Sequence, residues 1–374
     1  MKMRKIKTQE ALVEVVKRDK LSNLAFQELN LTEVEHRMMN ISVKNCLFLD
    51  CKMSNQLTKY LFKDNYIFPR LNVPYSIYPS GLYNKEKLYN GYNLNQPESY
   101  LKTLDKVVYD YYKKMGGSET RNIKETLARS LHDHSIYDAK HEFLSAYDER
   151  KVLAIMGGHK LRRDDKLYYQ TAQLSKSLTE KGYLMCSGGG PGAMEALHLG
   201  AWFAGKPEED LKNAVEILKP APIYSHPDWL KTSYIVLENY PETDYKSLGI
   251  PTWLYGHELS TPFATHIAKF FENSLREEGL LAIAKGGVIF SPGSAGTMQE
   301  IFMDLAQNHY ESYGFASPMI FLCEKYWTEE YPIFPLLKSL NDSGKLNNID
   351  LSIYDKNEDV IKHLENAGNE RMRE

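Results

Sequence analysis

Gly287-Val288-Ile289-Phe290-Ser291-Pro292-Gly293-Ser294-Ala295-Gly296-Thr297-Met298-Gln299-Glu300 passes from a short apolar run, through a glycine-containing turn, straight into a helical pattern. Earlier in the chain, Tyr183-Leu184-Met185-Cys186 runs in the same way into Ser187-Gly188-Gly189-Gly190-Pro191-Gly192-Ala193-Met194-Glu195. Where no side chain intervenes, the backbone N–H groups of such a turn converge on an anion, and the helix N-terminus adds partial positive charge. Two turns of this kind in one sheet point to a phosphorylated ligand.

Around these turns, from Arg150 onward, apolar runs alternate with helical patterns, which is the signature of βαβ units and a parallel sheet. Candidate strands lie at 151–156, 183–186, 214–218, 250–255, 287–290, 318–323 and 351–354, enough for a doubly wound α/β fold. The Pro- and Tyr-rich connection 219–248 is too long for a plain link and reads as a lid, a rim or an interface segment. Before residue 150 the pattern changes to a charged helical opening, a mixed stretch through Cys51 and a Tyr- and Pro-rich region over 66–100. The reading is an additional N-terminal domain over 1–149 and a nucleotide-binding domain over 150–374. Residues 25–51 carry a faint five-residue rhythm with too few matching turns for a solenoid. Segments 97–115 and 120–132 read as helices separated by Gly116-Gly117-Ser118.

With 374 residues the chain exceeds the usual range of a single core, consistent with two domains. Its 46 basic residues nearly balance 49 acidic ones, for a net charge of −3, which removes the electrostatic case for binding a nucleic-acid polymer. Cys46, Cys51, Cys186 and Cys323 show neither metal-ligand spacing nor a disulfide framework, so a reducing cytoplasm is expected. The charged N-terminus lacks the apolar stretch of a signal peptide, and no window approaches the roughly 20 apolar residues of a membrane span. A soluble protein that does not engage a membrane is expected.

Several motifs admit two readings. Gly188-x-Gly190-x-x-Ala193 formally satisfies a dinucleotide fingerprint, but it follows the second strand and contains Pro191, which has no N–H; a tight turn without ligand fits it as well. Glu195 reads as a charge at a helix N-terminus or as a ligand contact. The first strand ends in Gly157-Gly158-His159-Lys160, at the carboxyl edge where open α/β sheets bind ligands. Lys160 there would neutralise a phosphate or simply sit in a solvated loop. In the second loop Thr297-x-x-Glu300 places a hydroxyl and a carboxylate at a helix start, and it is equally a capping box. Over 262–281 a helical period puts His266, Lys269, Asn273 and Arg276 in one polar stripe opposite Ile267, Phe270, Phe271 and Leu275. An amphipathic surface helix shows the same separation, yet a stripe without acids suits an anion, and Arg276 offers a planar fork to phosphate or to a polarised base. His132-Asp133-His134 lacks a third metal ligand. No Gly-x-Ser-x-Gly elbow or Gly-Lys-Ser/Thr loop is present, which sets aside serine hydrolases and P-loop NTPases. No lysine stands in a recognisable pyridoxal phosphate setting, so lysine decarboxylation has no support.

Taken together, Gly157-Gly158, the Ser187–195 loop and Pro292-Gly-Ser-Ala-Gly-Thr-Met-Gln-Glu300 resemble the LOG family, the cytokinin-activating phosphoribohydrolases and their bacterial nucleotide 5′-monophosphate nucleosidase relatives. The likeness spans about 151–310 and is anchored on the P-G-G-x-G-T-x-x-E signature. Ser294 departs from it by replacing the second glycine. Pro191-Gly192 with Ala193-Met194 lies nearer the bacterial branch, and the N-terminal domain has no counterpart in short members. The resemblance implies a modified Rossmann fold, a homodimer or higher homo-oligomer, and hydrolysis of a nucleoside 5′-monophosphate to free base and ribose 5-phosphate without metal or cofactor. It maps the catalytic pair onto Arg276 and Glu300. Gly157, Gly158, Gly188, Gly189, Gly190, Gly192, Pro292, Gly293, Ser294, Ala295, Gly296 and Thr297 are the expected substrate and phosphate contacts, with Lys160, Glu195, Lys269 and Asn273 as further candidates. A non-catalytic sensor or carrier of a nucleotide-derived ligand is the alternative, and an NAD-dependent oxidoreductase is the weaker third because the fingerprint follows the wrong strand. The sequence does not choose a base.

Overall fold

Leu21-x-x-Leu24-x-Phe26 recurs as Val43-x-x-Cys46-x-Phe48, and each copy folds as two short strands stacked on those of the other. The computed structural model describes residues 3–371. These residues form two compact units, one from 3–82 and 111–141, the other from 83–110 and 142–371; residues 1–2 and 372–374 of the expected domains lie outside the described residues. In the first unit the strands are β1 (Arg4–Ile6), β2 (Lys20–Ser22), β3 (Leu24–Gln27), β4 (Ser42–Lys44), β5 (Leu47–Leu49) and β6 (Tyr66–Phe68). They build parallel ladders β1-β3-β5-β6 and β2-β4. Leu21 pairs with Val43 and Ala25 with Leu47, an offset of 22 residues in both ladders. Asn23 and Asn45 turn each coil with φ of 57° and 51°, a conformation asparagine tolerates, and the Asn45 side chain donates to that of Asn23 at 2.6 Å. Inside, Phe26 stacks on Phe48 with ring centroids 4.9 Å apart. The N-terminal unit is therefore a short strand-and-helix solenoid, against the expectation from sequence. The five-residue rhythm was the wrong period; the repeat spans a whole coil, of the length that lets each unit bury its face against the next.

In the second unit the central strands are buried at every position, as in a sheet covered on both sides, and alternate residues face opposite layers. Leu153, Ile155, Met185, Ile289, Ile320 and Leu322 pack with residues of helices Lys166–Glu180 and Asn357–Arg371. Phe290 and Phe321 continue into ring contacts with Trp327 and Phe334. The strands are β7 (Val152–Met156), β8 (Leu184–Ser187), β9 (Ser247–Gly249), β10 (His266–Ile267), β11 (Gly287–Phe290), β12 (Met319–Leu322) and β13 (Leu351–Tyr354). All pairings are parallel, in the order β10-β9-β8-β7-β11-β12-β13. This is a doubly wound, Rossmann-like α/β sheet. The chain winds outward in one direction from β7 and in the other from β11, so the switch point lies between them.

Three expected elements differ. Residues 214–218 end the helix Glu208–Leu218, whose Leu211, Ala214, Val215 and Leu218 are buried at helical spacing behind an acidic first turn. Residues 250–255 follow β9 rather than form it, since Pro251 cannot donate to a ladder. The helix expected over 262–281 is confined to Asn273–Leu281, and His266–Ile267 is instead the edge strand β10. Within 219–248 the chain forms the helix Trp229–Asn239, and helices Leu104–Lys114 and Ile123–Leu144 flank left-handed Gly116 and Gly117. The domain boundary is corrected as well. Residues 83–110 belong with the sheet, because Tyr83 bridges Ile267 and buried Asp105 receives Lys269 Nζ at 2.5 Å. Among the described residues no helix is long and apolar enough to cross a membrane.

Candidate active site

The carboxyl ends of β7, β8 and β11 open onto a cavity of about 310 Å³ at the switch point, within the usual range for small-ligand sites. Its wall contains Gly157 and Gly158 after β7, Gly188 after β8, and Ser294, Ala295, Gly296, Thr297 and Glu300 from the start of the helix Ala295–His309. Ser294 supplies no side-chain cap to that helix. Ala295, Gly296 and Thr297, the first turn of that helix, line the cavity, and first-turn amides have no intrahelical acceptor, as an anion site requires. Because Ser294 is the capping position, Thr297 lies inside the first turn, and the capping-box reading of Thr297 and Glu300 does not hold.

Arg276 enters from the helix Asn273–Leu281. Its Nη1 stands 3.3 Å from Glu277 Oε1 and 3.6 Å from Glu300 Oε1. Gln299 holds Glu277 from the other side at 2.8 Å. Gly188 makes room for this arginine, since a Cβ there would lie 2.8 Å from Arg276 Nη2. Among the described residues, buried Arg276 Nε has no hydrogen-bond partner. Burial pushes the Glu300 carboxyl up to about 7; Arg276 pulls it down and Glu277 adds to the rise. It is poised to exchange a proton near neutral pH.

The remaining expected residues have other places. Gly189, Gly190, Gly192, Pro292 and Gly293 do not line the cavity but pack the loops that frame it. Gly192, with φ of 73°, passes so close to Gly158 that a Cβ would fall 2.3 Å from its carbonyl oxygen, while the Gly158 amide donates to Pro292 O at 3.0 Å. Lys160 is exposed and off the wall. Glu195 is fully buried against Arg163, 2.5 Å away, and accepts from Tyr168 at 2.9 Å, so it braces helices rather than ligand. Lys269 is committed to Asp105. Asn273 sits at the start of its helix outside the cavity wall. The four-residue polar stripe thus does not exist as a surface, and of its members Arg276 alone reaches the site. Beneath the loops, His198 joins Ser187 Oγ at 2.9 Å to Ser247 Oγ at 2.8 Å; burial pushes it down to about 3, so a neutral ring ties β8 to β9.

Sequence reasoning missed Glu277, Glu258 and Tyr255 and assigned no role to His159 or Met194, all on the wall. His159 Nδ1 stands 3.5 Å from Glu258 Oε1. Glu277 is signalled only by following Arg276, and Glu258 only by lying in the turn before β10.

No family model matches the chain, and no curated protein matches it. Among solved structures it is similar to the molybdenum cofactor binding protein from the phototrophic bacterium Rippkaea orientalis, with 13% identity and a TM-score of 0.35 over 58% of this chain and 96% of that one.

Proposed function

We propose that this protein hydrolyses the N-glycosidic bond of nucleoside 5′-monophosphates, releasing free base and ribose 5-phosphate. The observation that carries the reading is Glu300, a carboxyl raised to about 7 on a cavity wall, one helical turn from uncapped amides and 3.6 Å from Arg276. It agrees with the resemblance of the loops to the LOG family.

In this reading the 5′-phosphate docks on the amides of Ala295, Gly296 and Thr297, and its binding energy positions the sugar. The C1′–N bond breaks with its electron pair leaving on the base, and positive charge develops at the anomeric carbon. Glu300, as carboxylate, faces that charge and takes a proton from the water that adds to C1′. The base nitrogen gains a proton from solvent water, Glu300 returns the proton it took to solvent, and Arg276 steadies the departing group.

Incubation with AMP, GMP, CMP, UMP and IMP, with base and ribose 5-phosphate separated by chromatography, tests it. Release from at least one, lost in Glu300→Gln with nucleotide binding retained, is the expected result. Tight nucleotide binding without release would replace hydrolysis by a carrier or sensor role.

A further inference from the structure

The cavity wall carries Glu258, Glu277 and Glu300 against a single arginine, Arg276. A phosphate dianion is repelled by each carboxylate, so its favourable place is the uncapped helix start and the adjoining Gly157-Gly158 turn. Arg276 and Glu300 then meet the sugar. What the hydrolytic reading leaves unused is the part of the wall formed by His159, Met194, Tyr255 and Glu258.

That group has the chemistry of a base-reading surface. Tyr255 keeps 41% of its surface exposed, presenting a ring on which a planar base stacks. Met194 adds a polarisable thioether. Glu258 is held: its side chain is 15% exposed, with His159 at 3.5 Å and His257 at 3.8 Å from Oε1. Its other oxygen, Oε2, lies 3.8 Å from where a Cβ on Gly190 would stand, so glycine at 190 keeps a side chain from crowding that oxygen.

A carboxylate accepts at both oxygens and, when ionised, donates at neither. Guanine offers two adjacent donors, N1–H and the 2-amino group. Adenine and cytosine offer a donor beside an acceptor, uracil one donor between two acceptors, and hypoxanthine one donor beside C–H. Only guanine satisfies both oxygens along one edge, and a mismatched edge leaves a desolvated acceptor unpaired. The geometry points to Glu258 as a specificity-determining residue that selects a guanine nucleotide, with Tyr255 as the stacking surface. The inference rests on the nucleotide reading above.

The test compares kcat/KM for GMP, IMP and AMP in the wild type and in Glu258→Gln, alongside calorimetric binding of GMP and AMP to the wild type and to Glu300→Gln. GMP is expected to exceed AMP by about tenfold or more, the scale of a bidentate base contact, with IMP between them. Glu258→Gln presents one donor and one acceptor, which match N1 and the 6-amino group of adenine, so GMP should fall while AMP rises. A structural role would lower both together, and that outcome, or equal wild-type use of GMP and AMP, overturns the proposal while leaving hydrolysis standing. Preferential binding of GMP without base release would support the subsite and overturn hydrolysis. No binding and no release would overturn both.

Discussion

The Glu300 carboxyl is set by a conflict between burial and charge. Burial raises its carboxyl to about 7, Arg276 opposes the rise, and Glu277 reinforces it. In the proposed reaction the carboxylate is the working form, so kcat/KM should climb as pH rises through about 7 and level off above it. Glu277→Gln removes a neighbouring negative charge while leaving an oxygen for Arg276; the pKa of Glu300 falls and the rising limb moves to lower pH. A pH–rate profile of the two proteins on one nucleotide reads this directly, and an unmoved limb would assign the titration to another group. Glu300→Gln keeps the shape and loses the charge. Its kcat should drop by about 10² to 10⁴-fold, the span of general acid–base contributions, with nucleotide affinity by calorimetry near that of the wild type.

Elements meet at the site through glycines, and two of them separate function from folding. A Cβ on Gly188 would come within 2.8 Å of Arg276 Nη2 and 2.7 Å of Met194 Sδ, the far ends of flexible side chains that can yield. Gly188→Ala should therefore fold with an unchanged melting temperature yet displace the guanidinium, costing on the order of 10²-fold in kcat/KM as small misplacements do. A Cβ on Gly192 instead meets the backbone oxygen of Gly158 at 2.3 Å, at a φ of 73°. Gly192→Ala should lower thermal stability first, because neither loop can move without opening the β7–β8 edge. Both glycine loops were legible in the sequence for the same reason: a fully buried strand and a turn without side chains leave a local pattern. The stretch 262–281 was not. Ile267, Phe270 and Phe271 repeat at helical spacing, but their burial comes from β10 and the extended chain after it, with Thr252 bridging Phe270. Tertiary packing decided a periodicity that local reading assigned to a helix. Lys269 was misread for a related reason, since its partner Asp105 lies far away in sequence; for Glu195 the helix-start reading held, in the first turn of Ala193–Trp202, while its partner Arg163 left no local signal. Glu258 carried no local signal, because its role depends on which loops converge rather than on its neighbours.

For the second unit as a whole, buried titratable groups set a pH window. His198 is pushed down to about 3 and His266 to about 4, both chiefly by burial. The unfolded chain binds protons at these rings below their ordinary value near 6.5 while the folded one does not, so stability falls as pH drops below that value. Asp304 behaves in the opposite sense. It is fully buried on the helix Ala295–His309, its Oδ2 has no partner among the described residues, and burial pushes it up to about 8 although Gln307 donates to Oδ1 at 2.7 Å. Glu300 is raised to about 7. For these carboxyls the folded state holds the proton after the unfolded state has released it, so their contribution is complete below about pH 4 and is lost as pH rises toward 7 and 8. The two trends oppose each other below 6.5, and above it only the loss remains. Urea denaturation should show stability falling between pH 6.5 and 8, with Asp304 responsible for about 2 kcal/mol at about 1.4 kcal/mol per pH unit. Asp304→Asn keeps the acceptor for Gln307 and removes the titration, so its slope over that interval should flatten to the part due to Glu300, and Asp304→Asn with Glu300→Gln together should be nearly level. A slope unchanged by Asp304→Asn would mean that this carboxyl is already ionised in the folded protein.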